Sequence, residues 1–122
     1  ECREKLANRY TSHLDDLDEV SIVLPKYRSS WYKYILLLNN DLDRNLIKQK
    51  MRDMGVSLSG EVYEIPLHKQ PVFKGYNKNT SFPNSAHVCS QHICLPLYYG
   101  MTVSEVNYVI KSLKKIIMNK GK

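Results

Sequence analysis

Cysteine is scarce in this 122-residue sequence, with three residues at positions 2, 89 and 94. An odd trio excludes the disulfide framework of small secreted domains and leads us to expect a reducing, cytoplasmic setting. Long apolar runs are also missing. The longest, residues 35–38, falls far below the roughly 20 residues of a membrane-spanning helix, so no membrane association is expected. Neither G-x-G-x-x-G nor G-x-x-x-x-G-K-[ST] occurs, which removes the glycine loops that cradle phosphates. Internal repeats, low-complexity tracts and C-x-x-C pairs are absent. No signal peptide is visible, and the opening ECREKLANRY, without an initiator Met, is charged and helical in character. No N-cap precedes Glu1, so the first helix is expected to begin before the chain does, as in a fragment of something longer.

What is present fits one soluble domain over residues 1–122, with 43% hydrophobic and 25% charged residues. The net charge of +6 raises the question of nucleic acid or another acidic partner. Five of the lysines (Lys111, Lys114, Lys115, Lys120, Lys122) fall near the C-terminus, where the solvated face of one helix accounts for them. Aromatic and basic residues interleave at Tyr27, Arg28, Trp31, Tyr32, Lys33 and Tyr34, a composition found in platforms for single-stranded nucleic acid. A strand would put Trp31, Lys33 and Ile35 on one face and Tyr32 and Tyr34 on the other. That mixture favours a buried strand over a nucleic-acid platform. A small basic binding module for nucleic acid or protein is the second functional class.

Leu6, Tyr10, Leu14 and Leu17 recur at helical spacing, predicting a helix over residues 1–17. Residues 20–24 form a short apolar run closed by Pro25, and residues 30–38 read as a buried strand. Residues 39–41 supply a turn and cap, residues 42–54 a helix, and Gly55 its C′ stop. Residues 56–58 read as a strand or an edge. Residues 60–82 break all periodicity, with a polar tip at 77–81. A helix is expected from about Pro83 through Cys94. Thr102 and Glu105 then form a capping box ahead of an apolar stripe at Val106, Val109, Ile110, Leu113, Ile116 and Ile117. The sum is a small α/β or α+β domain, a short sheet flanked by about four helices.

The stretch HVCSQHIC, residues 87–94, offers two histidines and two cysteines, the side chains of a tetrahedral zinc site. On a continuous helix, Cys89, His92 and Cys94 would lie at roughly 200°, 140° and −20° from His87. Opposite faces cannot share one metal, and no outside ligand pair is evident, so no metal is expected. The alternative is buried cysteines on a packed helix face. A Cys/His nucleophile pair lacks an orienting acid.

The loop EVYEIPLHKQP, residues 61–71, is richer. Pro66 and Pro71 stiffen it, and Tyr63, His68, Lys69 and Gln70 can bond to a polar ligand. It reads equally as a proline-braced surface loop whose Tyr and His bond locally.

The order of segments resembles the C-terminal small domain of the DegT/DnrJ/EryC1/StrS family, the pyridoxal-phosphate sugar aminotransferases. ECREKLANRYTSHL is similar to the family helix R-x-x-x-A-x-x-Y-x-x-x-L. SWYKYILLL followed by LDRNLIKQKMRDMGVSLSG is similar to its strand and helix. EVYEIPLHKQPVF resembles its loop Y-x-x-P-L-H-x-Q-P-x-F, and LPLYYGMTVSEVNYVI its closing signature. The resemblance implies the small domain of a fold-type I aminotransferase, folded over the cofactor cleft. The parent would move an amino group from an amino-acid donor, glutamate or glutamine, to a nucleotide-sugar carrying a ketone. Pyridoxal phosphate would be its electron sink. The Schiff-base lysine and the aspartate on the pyridine nitrogen would lie in the chain's own large domain, so no catalytic residue is expected here and the isolated chain should be inactive. The whole protein would be a cytoplasmic homodimer. Tyr63 and His68 take substrate-contact roles from the resemblance, and Gln70 follows. Many members carry a histidine at the position of Glu61 or Val62. Here the pair is Val62-Tyr63, which leaves the substrate subtype open, and some members are regulatory rather than enzymatic.

Overall fold

The computed structural model describes residues 2–58, 60–61, 63–76 and 81–119. Glu1, Val62, residues 77–80 of the expected polar tip, and Lys120 and Lys122 lie outside these. Among the described residues, four helices and a three-stranded antiparallel sheet make up the fold, in the order α1 (Cys2–Leu14), β1 (Val20–Ile22), β2 (Tyr34–Leu38), α2 (Arg44–Asp53), α3 (Pro83–Gln91), β3 (His92–Leu95) and α4 (Val103–Met118). The sheet order β1-β2-β3 puts β2 in the centre. No helix among the described residues is long and apolar enough to cross a membrane.

The periodicity of α1 holds, with Leu6, Ala7, Tyr10 and Leu14 buried. It stops three residues short of the expected end. Asp15 and Asp16 follow directly, and carboxylates oppose the negative end of a helix dipole. Helix α2 starts later than the 39–41 turn suggested, because Asp43 is the cap: its Oδ1 accepts from the N–H groups of Asn45 (2.8 Å) and Leu46 (3.0 Å). Its C-terminus is a Schellman motif, with Gly55 N–H donating to Arg52 O at 2.8 Å and Val56 N–H to Met51 O at 2.9 Å. That geometry puts Gly55 at φ +77°, where a Cβ is strained. Residues 56–58 form no strand, yet Val56 and Leu58 are buried in the core. The capping box of α4 forms as expected, and Val106, Val109, Ile110, Leu113 and Ile117 are buried along it. Helix α4 packs against both α1 and α2.

Two strand expectations change. Residues 30–33 are not strand, because Trp31 takes φ +49°, its N–H donating to Ser29 Oγ at 3.0 Å. This breaks the two-residue alternation. Trp31 therefore joins Tyr34 in the core, stacked with ring centroids 5.8 Å apart, instead of lying on the opposite face. The supposed stacking platform is thereby divided. Tyr27 and Tyr32 remain exposed, each beside a lysine, while the other two rings are interior. The second change is in HVCSQHIC. Helix α3 ends at Gln91 and residues 92–95 are a fully buried strand, registered on β2 with Leu37 opposite His92 and Tyr34 opposite Leu95. Pairing with the centre of the sheet supersedes helix continuation, and Ile93 is at home there. The helical angles assumed above for His92 and Cys94 do not apply. The His92 ring, buried, donates from Nδ1 to Val88 O at 2.7 Å. Among the described residues no three His, Cys, Asp or Glu side chains converge on a metal-sized point.

The core closes around three aromatic rings. Tyr10 of α1 lies 5.0 Å from Tyr34 between centroids and donates to Pro96 O at 2.9 Å. Burial pushes the Tyr10 phenol well above its ordinary value. We expect Tyr10→Phe to cost about 1 kcal/mol through the lost hydrogen bond. Leu36→Ala, which empties the centre of β2, should cost about 2–5 kcal/mol, and Thr102→Ala at the α4 cap about 1 kcal/mol. Urea midpoints at constant m-value measure all three.

Candidate functional site

Residues 63–76 of the loop are built around two short 3₁₀ turns, Leu67–Lys69 and Pro71–Phe73. Pro66 and Pro71 open them, their fixed φ preset for the turn. Gln70, extended at φ −65° and ψ 140°, joins them. Backbone bonds close each turn, from Lys69 N–H to Pro66 O (2.9 Å) and from Lys74 N–H to Pro71 O (3.1 Å). The loop is thus irregular in periodicity and ordered by its own bonds.

Three of its side chains were nominated from sequence, and the structure separates them. His68 is half-buried, its ring 4.9 Å from that of Phe82 at the start of α3. No side-chain hydrogen bond engages either of its ring nitrogens among the described residues. It lines a cavity of about 280 Å³ together with Leu67, Phe73, Tyr76, Phe82 and Ser85. Gln70 is occupied locally: its Nε2 donates to Ile65 O at 3.1 Å, bridging the first turn. Tyr63 is 70% exposed and does not line this cavity. His68 is therefore the nominated side chain that combines an uncommitted polar edge with an apolar enclosure.

Sequence reasoning missed the groups that hold the loop. Lys48 of α2 forms an ion pair with Glu61, their side chains 20% and 10% exposed. One turn earlier, Arg44 donates from Nη1 to Cys89 O at 2.7 Å and reaches Glu64 Oε1 at 3.4 Å. The available signal was a pair of cations at i, i+4 and a pair of carboxylates at i, i+3, but nothing local says that they meet. The aromatic walls, Phe73, Tyr76 and Phe82, are likewise scattered in sequence.

A larger cavity, about 680 Å³, opens where β3 runs toward α4, with Lys33, Leu97, Tyr98, Met101 and Tyr108 on its walls. Its polar groups are mostly used internally. Tyr98 donates to Glu105, which also caps α4, and Tyr108 donates to Met54 O at 2.8 Å.

Burial alone would raise the Glu61 carboxyl, but the Lys48 ammonium and the N–H groups of Gly60 and Glu61 hold it below its ordinary value of 4.5. A lowered folded value means that its stabilisation is complete above the unfolded value and is lost as pH falls through the folded one. Protection factors of the loop amides should therefore fall as the pH drops below about 4.5. Glu61→Gln should remove that acid-side step and raise exchange at neutral pH.

Comparison with known proteins agrees with this architecture. The model of the DegT/DnrJ/EryC1/StrS aminotransferase family matches residues 1–114. The protein MJ1066 of Methanocaldococcus jannaschii is 31% identical over 94% of this chain and 31% of its own length. The spore coat polysaccharide biosynthesis protein SpsC of Bacillus subtilis is 26% identical over the same shares. The chain thus spans about a third of the length of these curated relatives. Among solved structures, a DegT DnrJ EryC1 StrS aminotransferase from Brucella abortus superposes with a TM-score of 0.78 at 27% identity, over 98% of this chain and 31% of that one. The aminotransferase TlmJ of Streptoalloteichus hindustanus reaches 0.83 at 23%, over 96% and 31%. The PLP-form of the putative sugar aminotransferase Spr1654 of Streptococcus pneumoniae reaches 0.81 at 24%, over 98% and 31%. With a family match over nearly the whole chain, and a sheet and helices that superpose on these enzymes, the chain belongs to the DegT/DnrJ/EryC1/StrS aminotransferase family.

Proposed function

We propose that this chain is the C-terminal, substrate-side domain of a pyridoxal-phosphate-dependent aminotransferase. The whole protein would transfer an amino group from glutamate or glutamine to a nucleotide-linked keto-sugar, and would act as a homodimer in the cytoplasm. One observation carries the reading: the family's loop is folded so that His68, its ring nitrogens unbonded among the described residues, edges an aromatic-walled cavity.

Bound pyridoxal phosphate supplies the electron sink for amino transfer. The residues present here do not fit it by themselves. Among the described residues no lysine lines the His68 cavity, and Lys48 is paired with Glu61. Our reading therefore assigns the cofactor to the part of the relatives' length that this chain does not span, and no catalytic residue to this chain. Its own residues bind and orient. His68 offers a ring nitrogen to a sugar hydroxyl or ketone oxygen, and Phe82 against the imidazole limits its rotation. Phe73, Tyr76 and Phe82 keep water from one side of the ligand. The exposed Tyr63 hydroxyl, which has no partner among the described residues, is a second donor from the same loop. Gln70 acts indirectly, by bracing the turn that presents His68.

The test uses a protein spanning the full length of the relatives. It should bind pyridoxal phosphate, visible by absorbance, and aminate a nucleoside-diphosphate keto-hexose. His68→Ala should lower kcat/KM for the sugar roughly three- to tenfold, the worth of one hydrogen bond, with cofactor absorbance retained. An unchanged kcat/KM would remove His68 from the sugar pocket, and failure to bind the cofactor would remove the aminotransferase reading.

A further inference from the structure

Helix α2 carries an oddity that local physics does not explain. Its first residue is Arg44 and its first turn holds no acidic side chain, although a cation there opposes the positive end of the helix dipole. Arg44 is nevertheless only 11% exposed in its side chain. A locally unfavourable residue that is also mostly buried points to a tertiary role.

That role is visible in its bonds. One arm of the guanidinium donates to Cys89 O in the last turn of α3, a carbonyl near the helix end that is short of donors. The other arm reaches Glu64 of the loop. One turn along the same helix, Lys48 holds Glu61. Two cations one turn apart on a rigid helix thus meet two carboxylates three residues apart on the loop. The geometry repeats at the far end of the loop, where Phe82, leading into α3, packs on the His68 ring. Arg44 is the group that touches both sides, the loop before His68 and the helix behind it. The Glu64 arm is the weaker one, since that carboxylate is 69% exposed and screened by solvent. The Cys89 and Glu61 bonds carry most of the restraint.

We propose that Arg44 and Lys48 are positioning residues, which hold the 63–70 loop so that His68 faces its cavity before any ligand arrives. A site held in advance loses less freedom on binding, so the effect is read in the sugar's KM. The proposal rests on the reading that this loop meets the sugar, but its first test does not.

In that first test, hydrogen–deuterium exchange is compared for the full-length protein and for Arg44→Met, Lys48→Met and the double variant. Amides of residues 63–70 should exchange at least about tenfold faster in the double variant, with those of α4 unchanged. Arg44→Lys, which can keep one arm, should recover part of the difference. Should the α2 variants fail to fold, Glu61→Gln with Glu64→Gln releases the loop and leaves the helix intact. Unchanged loop exchange in that pair overturns the clamp.

The second test separates positioning from general stability. With a nucleoside-diphosphate keto-hexose as acceptor, the double variant should raise the sugar KM about tenfold, with kcat and the amino-donor KM unchanged. Faster loop exchange with an unmoved sugar KM overturns the positioning role while leaving the clamp. If no keto-hexose is aminated, the proposed activity fails, and the exchange experiment still decides the clamp.

Discussion

Tyr34 is the constraint on which most of this domain depends. It opens the central strand, is fully buried, and has a phenolic oxygen that must be paired. Thr11 of α1 pairs it at 2.9 Å, while the rings of Tyr10 and Trp31 cover it. Burial raises the Tyr34 phenol even though the Thr11 bond works in the opposite sense, so the hydroxyl stays neutral. These contacts anchor α1 to the sheet. They also explain why β2 begins no earlier: Trp31 has to turn through a left-handed conformation to reach the same side as Tyr34. Leu95 pairs with Tyr34 and sets the register of β3. That register in turn ends α3 at Gln91 and leaves the Cys89 carbonyl for Arg44.

The candidate site hangs on this frame as a loop whose rigidity is borrowed. Its 3₁₀ turns bury little of their own; Leu67 and Val72 are exposed, and Pro66 is the buried residue between Tyr63 and Tyr76. Short turns with few apolar contacts open easily unless something outside restrains them. Here the restraint is polar, from α2, and aromatic, from Phe82. Polar anchors suit a binding loop, because they fix its direction without burying the surface that a ligand or another part of the protein must meet.

The helices and the loop were legible in sequence because their causes are local. Apolar spacing marked α1 and α4, the Thr102–Glu105 box marked a start, and Gly55 a stop. The proline-flanked Tyr63–Gln70 segment was identifiable as a candidate binding loop, and its motif pointed to the family that comparison then established. What failed to show were consequences of partners far along the chain. Residues 92–94 were assigned to a helix because nothing near them says that β2 lies alongside. Trp31 was given the wrong face because one residue at φ +49° inverts a parity argument. Nor does the sequence around Gln70 reveal that Ile65 O, five residues back, lies within reach of its amide.

By itself the sequence determined which segments would be helical, that α2 stops at Gly55, and which loop is the candidate for recognition. These follow from propensity, caps and proline geometry, forces that act within a turn or two. The tertiary structure alone decided that HVCSQHIC divides into helix and strand. It also decided that His68 edges a cavity while Gln70 bonds to Ile65 O within the loop, and that Arg44 and Lys48 hold the loop from outside. Each of these depends on the free energy of burying or pairing groups brought together from distant positions, as with Arg44 and Cys89, 45 residues apart, and no local pattern encodes that meeting.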